Sequence, residues 1–450
     1  MQQIKHILDR VPDLVDVAAR FPEKFPFLYQ STAHQAVHGR YDFLFYTNGE
    51  YLSLDNKSKL SGSGFNPQSN QFLEELDRWY YQLHSKAPVE SPVGSGWCFL
   101  LSYELASQIE PVLDLPDGET FFPKALLVRT PAVIVIDHER KAHWVYGEPD
   151  AVNTVLKLLE TEKKSAVGKS HTFGSDISIH EDNPELFQKS VHNIHDYISA
   201  GDIFQVNLSR QWRSESQQTA EQLYRNLSIH NPGPFAGWAQ WQGASLISSS
   251  PERLVESRNT TVQTRPIAGT RPRGQHLDDD VRLAEELISH PKERAEHVML
   301  IDLERNDLGR VCKPGTIEVD EFMVLEQYAH VHHIVSNVRG EKQDDVSPGD
   351  ILAAVFPGGT ITGCPKVRCM EIIAELEQKP RGCYTGSMGY LGLNGDMDSN
   401  ILIRSVEMKE HNIRFNAGAG IVIDSDPYAE TDETRAKARG MLKALGANEV

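Results

Sequence analysis

Apolar residues fall at helical spacing directly after Asn183-Pro184: Phe187, Val191, Ile194 and Ile198 are separated by four, three and four positions. Asn183 suits an N-cap, Pro184 the first helical turn, and Gly201 a left-handed stop. The pattern then changes period. Phe204, Val206 and Leu208 point one way and Gln205, Asn207 and Ser209 the other, as in a strand with one polar face. A long helical stretch is predicted over 278–305, broken near Pro291, and another from Pro365 carrying Val367, Met370, Ile373 and Leu376. Two strand-like runs flank Asn394-Gly395, the favoured dipeptide of a tight hairpin. A third run, 413–423, passes through Ala417-Gly418-Ala419-Gly420, and a last helix starts at Pro427 with Asp426 as cap.

Residues 1–160 read as mixed strands and helices, 161–182 as a polar linker, and 183–450 as the region carrying the recognisable segments. Strands and helices mix without regular βαβ alternation, so an α+β fold is expected rather than a doubly wound parallel sheet. Composition narrows the class. Forty-five basic against 63 acidic residues leave a net charge of −18, unsuited to a nucleic-acid or anionic-membrane face. The most apolar stretch, 125–136, is interrupted by Arg129 and Pro131 and is too short to span a bilayer. Met1 to Arg10 lacks the apolar core of a signal peptide. Five cysteines, an odd count, suggest no disulfide framework. These features predict an acidic, cytoplasmic globular enzyme.

Two acidic pairs, Glu293/Glu296 and Glu430/Glu433, lie three residues apart on predicted helices, so each pair shares a face. Four carboxylates on two helices could hold Mg²⁺, although the same spacing also suits a solvated helix surface. Pro266-Ile267-Ala268-Gly269-Thr270-Arg271 and Ala417–Gly420 could receive an anion or be simple tight turns; neither has the glycine spacing of a phosphate loop. His330 and His332 share one strand face and His333 the other, without the further ligands of a zinc site. Cys364, Cys369 and Cys383 read as buried small hydrophobes.

Taken together, six segments resemble the chorismate-utilising enzyme family, in the family's order between about residues 184 and 445. They are Ser250-Pro251-Glu252-Arg253, 266–274, Arg294–His297 running into 301–307, Phe356-Pro357-Gly358-Gly359, Gly363-Cys364-Pro365-Lys366, and 418–422. The resemblance implies one large sandwich of two sheets flanked by helices, with the active site between them. It implies Mg²⁺ on Glu296 and Glu433, assisted by Glu293 and Glu430. It assigns the substrate's carboxylates and enolpyruvyl group to Arg404, Tyr384, Gly269, Thr270, Gly418 and Lys437, with Gly420 beside them. Glu252 matches the general acid for the departing C4 hydroxyl, and His333 a histidine beside the reacting ring.

Position 205 separates branches of the family. Isochorismate and salicylate synthases carry a lysine base there, whereas Gln205 cannot take a proton. This points to the aminating branch. Asn207, Ile361-Thr362-Gly363 and His332-His333 resemble the members that make 4-amino-4-deoxychorismate for para-aminobenzoate and folate synthesis. Ala268 resembles anthranilate synthases instead, because the para-aminating relatives carry a nucleophilic lysine there. Lys366 is the other nearby amine. An inactive binding homologue is disfavoured, since Glu252, Glu296, Glu433 and Arg404 are all present. No glutaminase nucleophile is recognisable, so a separate glutamine amidotransferase subunit is the implied source of ammonia. Finally, Leu28-Tyr29-Gln30-Ser31 with Pro234-Phe235-Ala236 resembles the lining of a tryptophan pocket.

Overall fold

The computed structural model describes residues 2–32, 39–87, 89–162, 177–274, 276–327 and 331–447. Its strands form two antiparallel sheets of twelve and eleven strands. The first runs in the order Ile4–Ile7, Ala142–Gly147, Ala132–Asp137, Tyr41–Tyr46, Phe27–Gln30, Phe235–Trp241, Ala244–Ser250, Ser405–Lys409, Asn412–Ile421, Gln205–Glu215, Ile179–Glu181. The second runs Ile267–Pro272, Val331–Glu341, Thr261–Thr264, Arg253–Arg258, Met397–Asn400, Ser387–Gly392, Gly96–Leu101, Ala125–Thr130, Tyr51–Leu54, Leu60–Ser63. Gly363–Cys364 pairs on the side of Gln205–Glu215, and Glu318–Gln327 on the side of Val331–Glu341. This is the α+β two-sheet sandwich expected from the sequence.

The facing surfaces are filled by Phe27, Phe43, Phe45, Val133 and Leu246 from one sheet and Cys98, Leu100, Val128, Met388 and Tyr390 from the other. Two further apolar layers lie on the outer faces. One buries the helix Phe72–Leu83 through Phe72, Leu76 and Trp79; the other buries the last helix, Pro427–Leu445, through Ala438, Met441 and Leu445. Several strands, among them Gly96–Leu101, Ala125–Thr130 and Ala132–Asp137, are buried at every position, because side chains on both of their faces meet an apolar layer.

The local signals produced their elements. Asn183 caps Pro184–Ala200, its side chain accepting from the Glu185 amide, and Gly201 closes the helix at φ 82°. The long helical stretch splits into Leu277–Ser289 and Pro291–Gly309. Ser387–Gly392 and Met397–Asn400 pair around Asn394-Gly395, and Asp426 caps the last helix with bonds from Tyr428 and Ala429. Phe204 departs from expectation: it precedes the strand and is 69% exposed, while Val206 and Leu208 are buried. Cys364 is only half-buried because it sits on the short strand leading into helix Lys366–Glu377, whereas Cys369 and Cys383 are buried as expected.

The expected linker, 161–182, lies largely outside the described residues. In its described part, Thr161 and Glu162 end the helix Pro149–Glu162, and Ile179–Glu181 is a strand. The stretches on either side of it share both sheets: Phe27–Gln30 pairs with Phe235–Trp241, and Gly96–Leu101 with Ser387–Gly392.

Candidate active site

Two of the passages between the sheets lie side by side at the site. Ser250-Pro251-Glu252 joins Ala244–Ser250 to Arg253–Arg258, and Ile401–Arg404 joins Met397–Asn400 to Ser405–Lys409. The Ser250 hydroxyl donates to the Ile401 carbonyl at 2.5 Å, the Ile401 amide to the Glu252 carbonyl at 3.0 Å, and the Ser249 amide to the Arg404 carbonyl at 3.1 Å. Arg404 is held at φ 51° and the nearby Thr385 at φ 61°. Such backbone in residues other than glycine persists only where surrounding structure over-determines it, and it clusters at functional sites.

Glu252 is buried and accepts from the Thr360 hydroxyl at 2.8 Å. Burial pushes its carboxyl up to about 7, against smaller opposing effects of Thr360, Lys437 and Arg404. A carboxyl poised there can hold a proton at neutral pH and release it during a reaction. His333 lies on strand Val331–Glu341, and its Nδ1 is 3.0 Å from the Thr270 hydroxyl. Burial, then the Arg404 charge, pulls it down to about 4, so the imidazole is neutral at physiological pH. Gly269 forms the bulge opposite it at φ 67°. A Cβ there would lie 2.9 Å from both a Glu293 carboxylate oxygen and Leu287. His332, on the other strand face, is 2.8 Å from Asp280, and His330 lies outside the described residues.

The acidic pairs sit on helices Pro291–Gly309 and Pro427–Leu445. The charges of both Lys292 and Lys437 act on Glu296 and on Glu430, so the two pairs belong to one region. Gln205 Nε2 donates to Glu296 at 2.9 Å, Arg271 to Glu293 at 3.1 Å, and Lys437 pairs with Glu433 at 2.7 Å. Lys437 also donates to the Gly418 carbonyl at 3.0 Å. Burial raises the Glu296 and Glu430 carboxyls, and the neighbouring Glu293 and Glu433 raise them further. Among the described residues no three His, Cys, Asp or Glu side chains converge as a ready ligand set. The hard oxygen donors suit a divalent cation, which would take the place of the amide and ammonium partners now holding them.

Strand Asn412–Ile421 supplies Gly418 and Gly420 opposite strand Gln205–Glu215. A Cβ at Gly418 would come within 2.6 Å of both Asn207 Oδ1 and the Tyr384 hydroxyl; one at Gly420 would come within 2.4 Å of Gln205 Nε2. These glycines are therefore required by close approach rather than by a turn.

Sequence reasoning missed several buried groups. Glu304 is close enough to Glu252 to feel its charge, and its Oε1 is 3.6 Å from where a Cβ on Gly359 would sit. Burial, and then the Asp307 charge, pushes its carboxyl up to about 8. Lys366 is bound to Asp307 at 2.6 Å, so this amine is engaged in a buried ion pair. Thr360 went unassigned although it directly follows Phe356–Gly359. Only contact across the sheets reveals these roles.

A separate cavity of about 300 Å³ is lined by Ser31, Pro234, Phe235 and Ala236, together with Arg253, Asp398 and Tyr390. Arg253 makes a two-point contact to Asp398 at 2.9 and 3.0 Å. The strand Phe27–Gln30 and the start of Phe235–Trp241 are hydrogen-bonded neighbours, which brings the two sequence segments together.

A family model of chorismate binding enzymes matches residues 27–443, so the chain belongs to the chorismate binding enzyme family. Aminodeoxychorismate synthase component 1 of Bacillus subtilis (strain 168) is 42% identical over 84% of this chain and 83% of its own length. An anthranilate synthase component I-like protein of Synechocystis sp. is 40% identical over 81% of this chain and 75% of its own. The crystal structure of anthranilate synthase component I from Streptococcus pneumoniae superposes with a TM-score of 0.81, at 31% identity, over 90% of this chain and 93% of that one. Among the described residues no helix is long and apolar enough to cross a membrane.

The buried Glu252 has a consequence for stability. Its folded-state carboxyl titrates at about 7 against an ordinary value of 4.5, so the folded state keeps a proton that the unfolded chain loses. Its contribution is complete below pH 4.5 and is lost as pH rises through 7. Glu252→Gln is expected to decline less steeply than the parent in Tm measured across that window; an equal slope would show that Glu252 ionises normally.

Proposed function

We propose that this protein aminates chorismate to 4-amino-4-deoxychorismate, with ammonia from a partner glutamine amidotransferase and with Mg²⁺ as cofactor. The observation that carries the reading is a buried, protonatable Glu252 that shares the Lys437 charge with Glu296, whose hydrogen-bond partner is Gln205 rather than a base. Such a site can protonate a leaving hydroxyl but cannot activate water. Support for the para product comes from Asn207, Ile361-Thr362-Gly363 and His332-His333, and from the 42% identity to the Bacillus subtilis relative.

In this reading Arg404, Thr270, Tyr384 and Lys437 orient the substrate's anionic groups, Arg404 by a two-point carboxylate contact. Mg²⁺, held by Glu296 and Glu433 with Glu293 and Glu430 assisting, would neutralise the ring carboxylate. Neutral His333 stands beside the ring. Ammonia adds at ring carbon 2 as the C4–O bond breaks, and the hydroxyl leaves as water with Glu252's proton. A second ammonia forms the bond at carbon 4 while the first nitrogen departs from carbon 2. Protons shed by the attached nitrogens complete the departing ammonia and restore Glu252. Ala268 offers no amine for a covalent adduct and Lys366 is committed to Asp307.

The second reading is anthranilate formation at carbon 2 with loss of pyruvate. Ala268 favours it, as do the anthranilate synthase names among the relatives.

Glu252→Gln is expected to bind chorismate nearly normally and to lose about 10² to 10⁴ in kcat. The parent's rate should fall as pH rises above about 7, where the acid loses its proton. Glu296→Gln and Glu433→Gln should remain folded while turnover and its Mg²⁺ dependence collapse. Near-normal activity in both would remove them from the metal site.

Product analysis from chorismate, Mg²⁺ and ammonium decides the branch. The expected product yields para-aminobenzoate when an aminodeoxychorismate lyase is added, and mass spectrometry of the trapped enzyme finds no lysine adduct. Anthranilate as sole aromatic product would instead establish the second reading.

We further propose that the cavity at Ser31, Pro234, Phe235 and Ala236 takes tryptophan. Its aromatic and apolar lining suits the indole, and the charged side chains Arg253 and Asp398 in the same lining suit the zwitterion. Calorimetric titration with tryptophan should show saturable binding, weakened when Ala236→Phe fills the cavity; absence of heat would mark the cavity as structural.

A further inference from the structure

Arg381 lies in the turn after helix Lys366–Glu377, and its side chain is 1% exposed. A guanidinium buried so deeply must find an acceptor for each of its five N–H donors, and this one does. Nε and Nη2 donate to the two Glu377 carboxylate oxygens at 2.9 and 2.7 Å, and Glu377 is itself buried. Nη2 also donates to the Asn207 carbonyl at 2.8 Å. Nη1 donates to the Ile361 carbonyl and to the Thr385 hydroxyl, each at 3.3 Å. One planar fork thus joins a helix end, a strand, the one-turn helix Gly359–Ile361 and the segment after Arg381 itself.

What the fork holds is the turn that presents Tyr384. The Thr385 hydroxyl donates in its turn to the Tyr384 carbonyl at 2.5 Å. The Thr385 amide donates to the Leu402 carbonyl at 2.8 Å, within the crossover that carries Arg404. Thr385 sits at φ 61°, backbone that needs such support from outside. The guanidinium also lies over the Tyr384 ring, 5.6 Å from its centre and within cation–π range. The hydroxyl of the same ring stands 2.6 Å from where a Cβ on Gly418 would be. The start of the turn is pinned separately: the Arg381 and Gly382 amides donate to one buried oxygen of Glu104, at 2.7 and 3.2 Å. Lysine could not replace this fork, since its three donors sit on one point and it has no plane to lay over a ring.

We propose that Arg381 is a positioning residue for the substrate site, setting the Tyr384 phenol where an anionic group of chorismate meets it. The inference rests on the reading of Tyr384 as a substrate contact and deepens it.

The test is a double-mutant cycle on kcat/KM for chorismate, at saturating ammonium and Mg²⁺, with the parent, Arg381→Lys, Tyr384→Phe and the double variant. Tyr384→Phe removes one hydrogen bond and should lower kcat/KM about tenfold. Arg381→Lys should melt cooperatively and lower it by a similar factor. In the Tyr384→Phe background, Arg381→Lys should cost less than about twofold more, because the phenol it positions is already gone. A merely structural arginine costs the same in both backgrounds, so losses that multiply overturn the inference. So does Arg381→Lys at the parent's kcat/KM. If Arg381→Lys shows no cooperative melt, Glu377→Gln, which loosens the fork without emptying the space, is read by the same criterion. Tyr384→Phe at the parent's kcat/KM overturns the reading of Tyr384 and this inference with it. A parent that does not turn over chorismate overturns the functional reading as a whole.

Discussion

The site depends on two neighbouring crossovers between the sheets. Sheets built from antiparallel strands ordinarily keep their chain within one layer or pass between layers at the edges. Here the passage is made mid-sheet, where Ser250-Pro251-Glu252 and Ile401–Arg404 run side by side and bond to each other's backbone. That arrangement carries an acid and a guanidinium into the interior together. It also explains the left-handed backbone at Arg404: a residue required to turn between layers while holding the Ser249 amide has little conformational choice.

Electrostatics then follows from burial. Glu252, Glu304 and Asp307 are three carboxyls withdrawn from water with one ammonium, Lys366, among them. Burial alone raises Glu252, whereas Glu304 is raised by burial and then by the charges of Asp307 and Glu252, so protons are retained in this poorly solvated region. The more exposed acidic pairs are handled differently, by Arg271, Gln205 and Lys437, which are partners a substrate or cation could displace. One site thus holds a proton store deep inside and an anionic rim nearer solvent.

Local chemistry was the legible part of the sequence. Asn183-Pro184, Asn394-Gly395 and Asp426 act within a few residues of themselves, so their caps and turns could be read directly. The acidic pairs were visible as helix-face neighbours, but their relation to one another was not, because it depends on how two helices pack across the sheet. Glu252 became meaningful as an acid only through its segment's resemblance to a known family; its burial and its Thr360 partner, 108 residues away, are tertiary facts. Phe204 misled the alternation because a strand's first residue need not face the core. The polar run at 161–182 reads as a linker, and the strand pairing of the stretches on either side of it follows hydrogen-bond geometry that composition does not encode.

That pairing sets limits on how the enzyme could be rebuilt. Phe27–Gln30 and Gly96–Leu101 occupy interior positions of the two sheets, so the catalytic stretch is not a module that can be lifted out. Expressed without the first 162 residues, it would present the bare backbone edges of Phe235–Trp241 and Ser387–Gly392, ready templates for intermolecular pairing. The same complementarity makes two co-produced fragments natural partners for reassembly, since each would supply the strands that the other lacks. Recombination between relatives is constrained likewise: swapping one stretch without the other exchanges half of each sheet interface and must preserve register across it.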